Sequence, residues 1–90
     1  MVSRPPVTLY RSAECRLCDL AISELRALEP EFSFGLEIVA IDGREELERL
    51  YGWAVPVVVF NNKEIARAPI RPGSLRVLIS EALSSRIPGA

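Results

Sequence analysis

Apolar and polar positions change period several times along the chain, and each change marks an element. Val7-Thr8-Leu9-Tyr10-Arg11 alternates and is rich in β-forming residues, which predicts a first strand. From Cys15 to Leu28 the apolar positions Cys18, Ala21, Ile22, Leu25 and Leu28 recur at helical spacing, predicting a helix with one buried stripe that closes before Pro30. Leu36 to Ile41 predicts a second, short strand. Asp42 is then placed to cap a second helix, with Glu45 three residues on as in a capping box and Leu47, Leu50 and Tyr51 as the inner face. Val57-Val58-Val59-Phe60 is a continuous run suited to a strand covered on both sides. Asn61-Asn62 predicts a tight turn into a hairpin partner, Lys63 to Ala68. Pro72-Gly73-Ser74 opens a third helix whose Leu75, Leu78, Ile79, Ala82 and Leu83 repeat at helical spacing, fading near Pro88. Residues 1–6 read as a loose lead-in, since Pro5 and Pro6 cannot donate to a ladder.

The predicted order is β-α-β-α-β-β-α: an α/β chain whose first βαβ unit is parallel and right-handed and whose last two strands are antiparallel. It implies a four-stranded mixed sheet flanked by three helices. A chain of 90 residues, with no repeat and no low-complexity segment, is read as one domain spanning 1–90.

Composition narrows the chemistry. Eleven basic and twelve acidic side chains leave a net charge of −1, and no basic tract marks a nucleic-acid binder. Ten of the basic residues are Arg and only Lys63 is Lys, a bias read as source composition. Residues 1–6 lack the apolar stretch of an export signal and no segment is long enough for a bilayer span, so the cytosol is the expected compartment and membrane association is not expected. In that reducing setting the two cysteines, spaced C-x-x-C, point to redox or metal chemistry rather than to a structural staple. With no His, one chain offers a metal two soft ligands where a closed zinc site needs four, so a metal held within the monomer is not expected.

Position makes the cysteines informative. Cys15-Arg16-Leu17-Cys18 follows a strand and opens a helix. A free thiol with a pKa near about 8.5 is only about 3% thiolate at neutral pH, and the unpaired N–H groups and dipole of a helix N-terminus favour the thiolate. Arg16 and Arg11 add positive potential, and Glu14 opposes it. A fall of about two pKa units raises the thiolate fraction about 25-fold but lowers intrinsic nucleophilicity about 8-fold, so the larger gain is that Cys15 becomes a better leaving group. Cys18 belongs to the apolar stripe one turn away. Cys15 is therefore the candidate nucleophile, and Cys18 the candidate resolving thiol. Pro56, in Val55-Pro56 ahead of the third strand, is on local grounds a strand-opening residue.

Taken together, Thr8-Leu9-Tyr10 before the dithiol, Cys15-Arg16-Leu17-Cys18-Asp19, Ile41-Asp42, Tyr51-Gly52-Trp53-Ala54-Val55-Pro56-Val57 and the Lys63-Glu64-Ile65 hairpin resemble the glutaredoxin-like family, in particular its small bacterial-type domains, over nearly the whole chain. The resemblance implies a thioredoxin-like fold and a redox-active Cys15–Cys18 disulfide. It implies a cis Pro56 facing the dithiol, and a Val55 backbone that pairs with a bound peptide or glutathione. Val55, Pro56, Arg16 and Arg11 are the candidate residues for substrate or glutathione. The expected partner is a disulfide-containing protein or glutathione, the latter as co-substrate, with no tightly bound cofactor and a monomeric chain. The chain departs from the family at Ala66-Arg67-Ala68-Pro69-Ile70, where glutaredoxins commonly carry a Gly pair followed by an acidic residue.

The leading expectation is a thiol–disulfide oxidoreductase. Two others stand beside it: a non-catalytic peptide-binding module on the same fold, and an iron–sulfur cluster bridged between two chains through Cys15. Trp53 is expected to pack, Arg67 to be a surface charge on an edge strand, and Arg4, Arg44, Arg49 and Arg86 to be solvated.

Overall fold

A computed structural model of the chain describes residues 5–85. Arg4, Arg86 and the predicted fading near Pro88 lie outside the described residues. The elements are β1 (Pro6–Arg11), α1 (Arg16–Phe32), β2 (Gly35–Ala40), α2 (Glu45–Tyr51), β3 (Val57–Phe60), β4 (Lys63–Arg67) and α3 (Ser74–Ser85). They form one four-stranded sheet in the order β2-β1-β3-β4, parallel between β1 and β2 and antiparallel elsewhere. Both the element order and the mixed sheet are those expected from the sequence. Among the described residues, no helix is long and apolar enough to cross a membrane.

The alternation in β1 sorts its side chains. Val7 and Leu9 join Val58 and Phe60 on one sheet face, against Ala21, Leu25 and Leu28 of α1 and Leu75 and Ile79 of α3. Phe34 closes this core at the entry to β2. Each fully buried side chain of this size contributes about 1.5–3 kcal/mol by leaving water. The opposite face is covered at one end by α2, where Tyr51 stacks on Tyr10 with ring centroids 4.6 Å apart.

Four details differ from expectation. The lead-in is partly structured: Pro6 begins β1, and Pro5 contributes only its carbonyl, which accepts from Gly35 N–H at 3.0 Å. First-position proline loses no ladder bond there. Every other strand end is within one residue of its expected place. The larger correction concerns α1, which does not close before Pro30 but runs through it to Phe32. Proline removes the N–H that would bond to Arg26, yet its ring faces solvent, Phe32 packs on the core, and Ser33 in the left-handed region closes the helix by donating to Glu29 O at 2.8 Å.

The second correction concerns Asp42, which does not cap α2. The N-cap is Arg44, with no side-chain hydrogen bond, and it is Glu48 rather than Glu45 that reaches back, accepting from Gly43 N–H at 3.0 Å. Leu50 is likewise not on an inner face but 51% exposed, and α2 has no buried residue. Seven residues make barely two turns, too few for a full apolar stripe.

The Asn61-Asn62 turn is as predicted, with φ of 58° and 63°, the pair of left-handed residues that a two-residue hairpin favours. Between Val58 and Val59 the register against β4 slips. That bulge undoes strict alternation, so Glu64 and Arg67, three apart, meet on one side and form an ion pair.

Candidate redox site at the start of the first helix

β1 ends at Arg11, and the chain turns through Ser12-Ala13-Glu14 before α1 begins. Glu14 adopts a left-handed φ of 54° in this turn. Asp42, just after the neighbouring strand β2, holds the turn: its Oδ2 accepts from Ala13 N–H at 2.8 Å. Arg11 clamps the other side, donating to Ser12 O at 3.1 Å and pairing with Asp19 Oδ1 at 2.8 Å. The segment before Cys15 is thereby tied to both β1 and α1.

Cys15 is the N-cap of α1. Its backbone is extended, its carbonyl accepts the first helical bond from Asp19 N–H at 3.1 Å, and its Sγ accepts from Cys18 N–H at 3.1 Å. A sulfur stands where a cap usually places a Ser or Asp oxygen, at the positive end of the helix. Cys15 is partly exposed, whereas Cys18 is 0% exposed. The two are joined by a disulfide with Cα atoms 5.1 Å apart. The deeper burial that the apolar stripe predicts for Cys18 is present in the geometry.

Pro56 lies beside this end of β1, since Tyr10 is paired with Val57. The Val55–Pro56 peptide is cis, as is Ala68–Pro69, which the sequence did not single out. The approach to Pro56 is shaped by Gly52, where a Cβ would sit 2.4 Å from the Glu48 carbonyl oxygen, so a side chain there would force α2 to open. Val55 N–H already donates to Tyr51 O at 3.1 Å, while no described residue donates to the Val55 carbonyl.

A small cleft opens on the Pro56 side of α1. It encloses about 190 Å³ and is lined by Leu17, Leu20, Ala21, Glu24, Pro56, Ile70 and Pro72. Leu17, between the two cysteines, is 54% exposed, and Leu20 is 61% exposed. Glu24 accepts from Gly73 N–H at 2.9 Å, and Gly73, at φ +85°, holds a backbone that few other residues adopt. The sequence reading missed Leu20, Ile70 and Pro72. Leu20 falls off the buried stripe of α1, which marks it as outward-facing, but nothing local to Ile70 or Pro72 signals the cleft.

The four candidate substrate residues divide. Val55 and Pro56 lie together at the sheet end. Arg16, the first residue of α1, is exposed and has no ion-pair partner among the described residues. Arg11 is occupied by Asp19. Trp53 is corrected: it does not pack in the core but is 78% exposed, with the Arg67 guanidinium 5.2 Å from its ring centroid. The hydrogen bond between Arg67 and Glu64 holds the Glu64 carboxyl below, and the guanidinium above, its usual range. Burial first, then Tyr10 and Glu64, pushes the Tyr51 phenol up, so it stays neutral.

Residues 6–87 match the family described as Glutaredoxin-like domain (DUF836). Among solved structures, the chain is similar to protein Ne2328 from Nitrosomonas europaea, with 32% identity, a TM-score of 0.73 and coverage of 91% of this chain and 94% of that one. It is similar to protein XcR50 from X. campestris at 31% identity and a TM-score of 0.68, covering 83% of this chain and 96% of that one. Thioredoxin 1 from Thermosipho africanus, at 15% identity, covers 90% of this chain and 97% of its own with a TM-score of 0.61, a likeness of fold alone. No curated protein matches the chain. The thioredoxin-like fold expected from the sequence is the fold of this protein, and the chain belongs to the glutaredoxin-like domain family.

Proposed function

We propose that the protein is a thiol–disulfide oxidoreductase in which Cys15 is the attacking sulfur and Cys18 the resolving one. The observation that supports this most is the position of Cys15, a partly exposed residue whose Sγ accepts a backbone N–H at the start of α1, one turn from a fully buried partner cysteine. In the reduced protein those same N–H groups stabilise a thiolate on Cys15.

The Cys15 thiolate attacks one sulfur of a substrate disulfide. A Cys15–substrate disulfide forms, and the other substrate sulfur leaves as a thiolate that takes a proton from solvent. Cys18 then gives up its proton and attacks the Cys15 sulfur. The mixed disulfide breaks, the second substrate thiolate leaves and is protonated, and the Cys15–Cys18 bond forms. Two electrons pass from the dithiol to the substrate. An external thiol reductant returns them by the reverse sequence, so the reaction belongs in a reducing compartment, the cytoplasm on this reading. Cys18, shielded from solvent, attacks only the sulfur brought to it.

The substrate is a disulfide-containing protein or glutathione, held near Pro56. The Val55 carbonyl accepts a substrate N–H, and Arg16 supplies positive potential, while Arg11, tied to Asp19, orders the turn rather than grips an anion. The exposure of Leu17, Leu20 and Trp53 favours a second reading, a module that binds a peptide without chemistry. One set of measurements separates them. On the first reading, alkylation of reduced Cys15 against pH has its midpoint clearly below about 8.5. Cys15→Ser then abolishes turnover of a small disulfide, and Cys18→Ser accumulates the mixed disulfide. A midpoint at the ordinary thiol value with no turnover, and peptide binding retained by Cys15→Ser, identifies the binding module instead.

A further inference from the structure

The surroundings of Cys15 discriminate between the two classes of disulfide that a working dithiol can meet. A cleft that starts at Leu17, two residues after Cys15 in the chain, runs past Pro56 and is walled by Leu20, Ala21, Ile70 and Pro72. At about 190 Å³ it is smaller than the roughly 300–1,000 Å³ of pockets that enclose whole small molecules. It is of a size to receive part of a larger molecule, such as an apolar side chain. Leu17 and Leu20, three apart on α1, project side by side at its mouth with more than half of each surface open to water.

Its charge points the same way. The one ionisable residue in the lining is Glu24, a carboxylate whose Oε2 already accepts the Gly73 N–H. No Lys or Arg lines the cleft. Arg11 is paired with Asp19, and Arg67 is paired with Glu64 and lies against Trp53. Arg16 and Arg71 adjoin lining residues in the chain but are not part of the lining. Within the cleft, a net-anionic small disulfide such as glutathione disulfide would bring its carboxylates to a lining that offers leucines and another carboxylate. An extended polypeptide of neutral character, with apolar side chains next to its cystine, would bury Leu17 and Leu20 and leave no charge opposed.

We propose that the substrate of this site is the disulfide of a protein whose cystine is flanked by apolar residues, docked along Leu17, Leu20, Pro56 and Ile70, and that glutathione disulfide is discriminated against. The proposal rests on the oxidoreductase reading above. The chemistry is the same exchange: the Cys15 sulfur bonds to one half of the protein cystine, the other half leaves as a thiol, and Cys18 releases the first as it closes the Cys15–Cys18 bond.

The test is the ratio of kcat/KM values for four disulfides: hydroxyethyl disulfide, glutathione disulfide, and two synthetic peptide disulfides identical except that the cystine is flanked by Leu and Val in one and by Ser and Gly in the other. The wild-type protein is expected to prefer the apolar-flanked peptide to the polar-flanked one, and to glutathione disulfide, by about ten-fold or more. Leu17→Ser combined with Leu20→Ser is expected to shrink the preference between the two peptides to about two-fold. Equal kcat/KM for the two peptides, a preference for glutathione disulfide, or a peptide preference untouched in the double variant overturns the proposal. The wild-type ranking decides the matter even where the double variant fails to fold. A wild-type protein that reduces hydroxyethyl disulfide but ranks the others differently overturns this inference alone. One that reduces none of the four overturns the oxidoreductase reading and this inference with it.

Discussion

A single carboxylate 29 residues from the turn it supports holds the backbone ahead of Cys15. Asp42 receives the Ala13 N–H at 2.8 Å, and the bond fixes a turn that includes a left-handed Glu14. Asp42→Ala removes that acceptor and is expected to cost about 0.5–1 kcal/mol in urea unfolding, the usual net worth of such a bond, while Asp42→Asn, which keeps an oxygen, retains most of the stability. An equal loss in both variants would show that the bond carries no weight. From the sequence Asp42 reads as a cap because an Asx residue followed three positions later by Glu is a local pattern. No local pattern announces a partner in another loop. Trp53 eluded the sequence for a related reason. Its neighbour Arg67 comes over the ring from β4, and only an irregular register brings Glu64 to the same side to hold it. The cysteines were legible because everything that distinguishes them is local: a strand before, a helix after, and a place on or off its apolar stripe.

Among the elements, α1 carries the most weight, as it supplies three core residues and starts at the dithiol. Its periodic stripe was readable from Cys18 to Leu28, but its end was not, because a proline in the last turn forfeits one bond while Phe32 and Phe34 go on packing beyond it. Pro30→Ala restores an N–H for the Arg26 carbonyl, offset in part by a freer unfolded chain. It is expected to raise the unfolding free energy by about 1 kcal/mol, seen as a higher urea midpoint at unchanged slope. A lower midpoint would show that Pro30 shapes the exit toward β2. α2 was misjudged in the opposite sense. Its Leu50 suggested an inward face, but so short a helix touches the sheet mainly through Tyr51 and leaves the rest in water. The strands and the hairpin turn were read well, since period and turn chemistry are set by immediate neighbours.

At the scale of the whole molecule, α1 and α3 are fastened at the surface as well as in the core. Arg76 of α3 pairs with Glu31 of α1 and lies over the Phe32 ring. The hydrogen bond to Arg76 lowers the Glu31 carboxyl from its ordinary 4.5, as Arg67 does for Glu64. A carboxyl depressed in the folded state adds stability that is fully present above its unfolded value and lost as pH falls through its folded one. The melting temperature is therefore expected to drop between about pH 5 and about pH 3, with Glu31→Gln flattening part of that slope and about 1 M salt weakening it. Both pairs are open to water, so the effect is modest. An identical slope in Glu31→Gln would assign the acid sensitivity elsewhere.

On the proposed oxidoreductase reading, the sulfur that begins α1 also links electron transfer to folding. The Cys15–Cys18 bond spans a sequence separation of three, too short a loop to restrict the unfolded chain much, so the two redox states differ chiefly when folded. On that reading, a reduced form with Cys15 as thiolate would offer the helix a full negative charge at its opening turn, and the oxidised form only a neutral atom. Gaining electrons would then tighten the same rod that anchors the core. By the closed cycle joining reduction and unfolding, each tenfold bias of the native chain toward the dithiol raises its reduction potential by about 30 mV. The packing of a helix and the direction of a redox reaction become two readings of one free energy.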